Sequence, residues 1–108
     1  MYVAHMRDAC QRVVNLVAGF DEKTFEADDR TPDAVIRHLE ILGEAAGRVS
    51  EPYRSAHPDV PWRVLKDLRN LLIHGYADVR VDRVWRIACD DVPILARTLD
   101  RLVNSGDD

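Results

Sequence analysis

The stretch RNLLIHGY, residues 69–76, sets Arg69, Asn70, His74 and Tyr76 within eight positions of one another. A guanidinium is permanently charged and can hold a phosphate or the phosphorane formed from it. An imidazole moves a proton near neutral pH. Together they suit metal-independent cleavage of RNA. The imidazole takes the proton from a ribose 2′-hydroxyl, or gives one to the leaving 5′-oxygen, while the guanidinium holds the negative phosphorane. That reaction needs an acid and a base, and one chain offers a single well-placed imidazole. A symmetric dimer with both copies of His74 lining one cleft would supply two. Other chemistries find no residues here. The four histidines (His5, His38, His57 and His74) are scattered, no Cys/His metal spacing occurs, no Gly-rich phosphate loop precedes a helix, and no Ser/His/acid arrangement is apparent. The expectation is an enzyme with no metal and no cofactor.

The same residues fit a purely structural account. At about 100° per residue, Trp62, Leu65, Leu68, Leu72, Ile73 and Tyr76 fall in one apolar arc, with Arg63, Lys66, Asp67, Asn70 and His74 opposite. Arg69 lands inside the apolar arc and shares a face with Tyr76, while His74 lies about 140° away. One straight helix therefore cannot aim Arg69 and His74 at one atom. An unpaired buried charge is costly, so Arg69 needs a partner. By pattern the candidates are Glu40 and Glu44, four apart on the preceding long helix. A packing salt bridge from Arg69, His74 as a helix-end histidine and Gly75 as a C-cap are the commoner account of such spacing, since structural ion pairs are frequent.

The elements that must position these residues are helices. Val3, Met6, Cys10, Val13, Val17 and Phe20 recur at three- and four-residue steps and predict a helix over 2–20. The polar stretch DEKTFEADDR reads as a turn and loop. A second helix starts at Thr31 as cap, with Pro32 at its first position and Asp33 at the positive end of its dipole, and carries the stripe Val35, Leu39, Leu42, Ala46 and Val49. Gly43 and Gly47 each weaken it by roughly 1 kcal/mol relative to Ala, which points to a close backbone neighbour or to tolerated accidents. His38 on its apolar side is expected to be a packed histidine. SEPYRSAHPDVP, with three prolines, is a loop with at most a short helical turn. The motif helix runs from about Pro61 to Gly75, and another begins near Val81 or Asp82. Pro93 must kink or break that helix, since it removes a hydrogen bond and clashes with the preceding turn. Leu95, Leu99 and Leu102 line the last segment, and residues 104–108 form a frayed tail. The expected fold is an all-α bundle of four to five helices in one domain spanning 1–108.

Composition agrees with that frame. The chain is 46% hydrophobic, a globular composition, and its formal net charge of −4 argues against a general nucleic-acid-binding protein. Six basic and three acidic residues between 61 and 86 leave that segment three charges positive and the remainder seven negative. Basic charge thus gathers around RNLLIHGY, where ordinary solvated helix faces could also put it. Cys10 and Cys89 are too few for a disulfide framework and read as buried thiols. No signal peptide and no apolar run of about 20 residues is present, so the expected compartment is the cytoplasm, away from membranes. Trp62 and Trp85 are expected as core or dimer anchors.

RNLLIHGY matches the R-x-x-x-x-H-x-Y motif of HepT-like proteins in the HEPN superfamily. DAVIRHLEILGEAAGRVS resembles that family's second helix, HPDVPWRVLKDLRNLLIHGY its motif helix and VWRIACDDVPIL the one that follows. The resemblance implies a HEPN-type bundle, a homodimer and a metal-independent ribonuclease toxin of a toxin–antitoxin system. It further implies a cognate MntA-like nucleotidyltransferase antitoxin that transfers AMP from ATP to the motif tyrosine. Carried over by position, Arg69 and His74 are the catalytic pair, Asn70 the polar helper and Tyr76 the AMP acceptor. A different class of function remains open: a non-catalytic companion that presents RNA or a nucleotide to a nucleotidyltransferase.

Overall fold

The structure, a computed structural model, describes residues 2–74 and 80–106, with the backbone alone at Leu71, Ile73 and His74. The described residues are helical throughout their regular parts. Four long stretches build the bundle: α1 (Tyr2–Val17), α3 (Thr31–Gly47), α5 (Trp62–His74) and α7 (Val92–Asn104). Short helices α2 (Glu22–Ala27) and α4 (Glu51–Ala56) sit in the connections, and α6 (Val81–Arg86) leads through a π-helical turn, Ile87–Asp91, into α7. This is the expected all-α architecture, with α3 in the middle. It packs against α1 on one side and α5 on the other, and α1 also packs against α7.

The apolar stripes do what their spacing demands. Val3, Met6, Cys10 and Val13 of α1 are buried, and so are Val35, Leu39, Leu42, Ala46 and the following Val49 on the α3 side. Leu65, Leu68 and Leu72 of α5 and Leu95, Leu99 and Leu102 of α7 complete one continuous core. Helix α1 ends at Val17, three residues short of the expected limit. The chain turns there through Gly19, whose φ of +85° lies in the left-handed region that glycine adopts freely.

Two local expectations need correction. DEKTFEADDR is not merely a loop, because α2 forms inside it. Asp21 caps that helix by accepting from the Thr24 N–H at 2.8 Å, and Thr24 Oγ1 accepts from the Asp21 N–H at 2.9 Å. Phe25 is then driven fully into the core, 5.0 Å from the Trp85 ring, and its burial fixes the segment. Thr31 is not the cap of α3 either. It is the first helical residue, and the Asp28 carboxylate accepts from the Thr31 N–H at 2.7 Å and the Arg30 N–H at 3.1 Å. Those backbone donors hold the Asp28 carboxyl below the usual carboxylate range.

Pro93 is accommodated without a break. The Val92 N–H reaches the Ile87 carbonyl, a five-residue step that widens one turn just before the proline. The proline then falls at the start of α7, where its missing N–H costs least. Ahead of α5, the half-buried Trp62 donates its indole N–H to the His57 carbonyl at 2.9 Å, while Tyr53 stacks on His57 with ring centres 4.3 Å apart. That cluster sets where α5 begins.

Candidate active site

Helix α5 carries the candidate residues, and α3 is its principal neighbour. The two helices meet at Gly43 and Arg69. A Cβ built on Gly43 would lie 2.8 Å from Arg69 Cβ, 3.2 Å from Arg69 Cα and 3.2 Å from the Leu65 carbonyl oxygen. Gly43 is therefore the close approach its helix penalty suggested. Gly47 is not, since nothing lies within 4 Å of the corresponding point.

Arg69 is half-buried at this contact, and its Nε is a buried donor with no hydrogen-bond partner among the described residues. The expected partners are elsewhere, which corrects the pairing read from the sequence. Glu40 pairs with Arg37 at 3.6 Å and Glu44 with Arg48 at 3.4 Å. Each glutamate has an arginine one turn away on its own helix, and such local pairs need no long side chain to cross between helices. Gly43, lying between the two glutamates, brings backbone rather than carboxylate against Arg69.

Asn70 is exposed on the outer side of α5, and His74 is the last described residue of α5, its side chain lying outside the described residues. Gly75 and Tyr76 lie wholly outside them, so the expectations for a C-cap and an AMP acceptor are not addressed by this geometry. Beside α5, towards α6 and α7, runs a groove of about 600 Å³. Val64, Leu68, Ile87 and Leu95 line it, with Asp67, Arg83, Arg86 and Asp91 among its polar residues. Val64 is 63% exposed there. Two signals for this opening stand in the residues themselves: a valine at the margin of the apolar arc, and the basic excess around residues 61–86.

Other titratable groups stand apart from this region. His38 is half-buried as expected, with Nδ1 buried and unpartnered among the described residues. Burial, then the charges of Arg12 and Arg37, hold its pKa below the ordinary 6.5. Cys10 is fully buried, and burial with the nearby Asp100 charge pushes its thiol up to about 12. Cys89 is only half-buried, a partial departure from the expected buried thiol. Among the described residues no group of three or more His, Cys, Asp or Glu is placed to hold a metal ion, and no helix is long and apolar enough to cross a membrane.

The family described as ribonuclease HepT-like matches residues 6–102, nearly the whole bundle and all of α5. The chain belongs to the HepT-like ribonuclease family. It is 32% identical over 101 residues to the "Probable ribonuclease HepT" of Thermococcus cleftensis, covering 94% of this chain and 92% of that protein. It is also 32% identical over 93 residues to "Putative RNase MJ1380" of Methanocaldococcus jannaschii, covering 86% and 85% of the two chains. No solved structure matches the chain. The match includes the Gly43–Arg69 contact, so the geometry just described belongs to the family region rather than to an appended segment.

Proposed function

We propose that this HepT-like protein is a metal-independent endoribonuclease, the toxin of a cytoplasmic toxin–antitoxin pair. In this reading it acts as a homodimer and is silenced by a cognate MntA-like nucleotidyltransferase that transfers AMP to Tyr76. The observation that carries the reading is Arg69. A core-side arginine is retained at a helix contact with no carboxylate partner among the described residues and with a buried donor unmet. Leaving such a donor unsatisfied costs about 1–3 kcal/mol, a cost more readily understood at a site that awaits an anion than in a packing bridge.

The chemistry follows from the two side chains. The ribose 2′-oxygen attacks the adjacent phosphorus and its proton passes to one His74 imidazole. The bond to the 5′-oxygen breaks, and the leaving oxygen takes a proton from the other copy's imidazolium. Arg69 holds the negative phosphorane between these events, and exposed Asn70 offers a further polar contact. The 140° or so between Arg69 and His74 on one ideal helix is what calls for a second copy, joined through an isologous two-fold interface.

Control follows from the sequence position of Tyr76. The phenol oxygen attacks the α-phosphorus of ATP, pyrophosphate leaves and the phenolic proton is lost to solvent. The new phosphodiester carries one negative charge, which competes with the RNA phosphate for Arg69.

The test uses purified protein and total RNA in excess EDTA. Fragments ending in a 2′,3′-cyclic phosphate are expected. Cleavage that disappears with EDTA refutes the metal-free scheme, and intact RNA under all conditions favours the companion-subunit alternative. Light scattering on the same sample should give twice the chain mass, and a monomer at micromolar concentration removes the composite site. With the cognate MntA-like nucleotidyltransferase and ATP, the wild type should gain AMP and fall silent. Tyr76→Phe should still cut and should escape. A Tyr76→Phe protein that is still modified places the acceptor elsewhere.

A further inference from the structure

We infer that Gly43 is a positioning residue for the site: its missing side chain seats the Arg69 backbone against α3 and so sets where the guanidinium can reach. The inference rests on the reading of Arg69 as the group that holds the reacting phosphate.

Gly43 is buried in the middle of α3, where glycine weakens a helix relative to alanine. The contact it makes explains why glycine stands there. A methyl group at this position would stand 2.8 Å from Arg69 Cβ, against 3.4–4 Å for ordinary contact, a shortfall of at least 0.6 Å. What it would meet is the root of the arginine and the backbone beside it, not the flexible end of a side chain. Helix α5 has little freedom to give way along its axis. Leu65, Leu68 and Leu72, on the turns to either side of Arg69, are all buried in the same core. The first atoms of the Arg69 side chain are thus fixed by backbone contact, and its Nε is enclosed beyond them. Gly47, one turn further along the same helix, has open space where its Cβ would be, so α3 offers a matched internal control.

A group that stabilises a transition state must be placed to within a fraction of an ångström, and a misplacement of about 1 Å can cost on the order of a hundredfold in rate. The displacement that Gly43→Ala demands is of that size. It acts on the guanidinium proposed to hold the phosphorane, which carries more negative charge than the bound phosphodiester, so the loss should fall more on kcat than on KM.

The experiment compares Gly43→Ala, Gly47→Ala and Leu99→Ala in the RNA-cleavage assay, each held well below its own melting temperature. Gly43→Ala should lose about a hundredfold in kcat with KM changed only a few-fold. Gly47→Ala should keep both constants. Leu99→Ala, which opens a cavity in fully buried α7 packing, should melt lower yet keep its kcat. In an Arg69→Ala background, Gly43→Ala should cost much less than in the wild type, because the guanidinium through which it acts is gone although the Cβ contact remains. A Gly43→Ala protein with wild-type kcat beside an inactive Arg69→Ala overturns the inference and leaves the function standing. A fully active Arg69→Ala removes both. A second measurement needs no variant that folds: by NMR of the wild type, the Nε–H of Arg69 should exchange with solvent at least tenfold more slowly than that of exposed Arg63. Equal exchange rates mean the side chain is not held at this contact, and the inference falls.

Discussion

Helices α1 and α5 both lie against α3, yet they are held in different ways. α1 is gripped from two sides, by α3 and by α7, and buries Val3, Met6, Ala9, Cys10 and Val13. α5 has α3 as its main support and leaves its other flank, with Val64, open to a groove. The seams differ as well. α1 buries a full stripe of side chains, as protein cores normally do. At Gly43 and Arg69, α5 comes down on α3 nearly backbone to backbone. The first arrangement supplies stability and the second fixes the origin of one charged side chain. A bundle this small can carry a buried, unmatched donor on α5 because the packing of α1, α3 and α7 does not depend on it.

That division can be tested by perturbing each side. The largest effect on stability should come from Met6→Ala, which empties a fully buried site on α1 and should cost about 2–5 kcal/mol in chemical denaturation. A loss as small as that of a surface substitution would show that α1 is not the anchoring helix. Next comes pH. The Cys10 thiol is held neutral in the folded chain up to about 12, against 9.0 for an ordinary thiol. A raised folded pKa contributes stability that is intact below the unfolded value and is lost as pH rises. The protein should therefore lose stability from about pH 9 upward, until the folded thiol itself ionises near 12. Cys10→Ala should flatten that alkaline slope, which denaturant midpoints between pH 8 and pH 10.5 would show. The smallest effect belongs to the open flank of α5. Val64→Ser, at a residue 63% exposed, should change stability by no more than about 0.5 kcal/mol. A larger cost would mean that the groove is covered in solution.

Much of this contrast could be read from the residues, for reasons that differ by element. The stripes of α1, α3 and α7 sit at helical spacing, and nearly every position on them is buried, because periodicity reports directly on which face meets the core. Arg69 was conspicuous as a charge in an apolar arc. Its surroundings were not readable, because pairing depends on the distance between helices, and Gly43 closes that distance. The local arginines were in plain view, with Arg37 three residues before Glu40 and Arg48 four after Glu44. Helix α2 is not legible from periodicity, because six polar-rich residues carry no apolar stripe. Its signal was the Asp21–Thr24 spacing of a capping box followed by one aromatic residue. Gly43 and Gly47 are indistinguishable in sequence and became different only when their neighbours were known.

The central claim is that α5 presents Arg69 and His74 to RNA, and single-residue kinetics in EDTA test it most directly. Cleavage of one defined RNA would be followed for wild type, Arg69→Ala and His74→Ala, with helical content and melting recorded for each. General acid–base catalysis contributes about a hundred- to ten-thousand-fold, so His74→Ala should lose rate within that range while staying folded. Arg69→Ala should fall comparably, and its melting should not drop, since it gives up no ion pair among the described residues. Either variant cutting RNA at the wild-type rate, with its fold intact, would contradict the account.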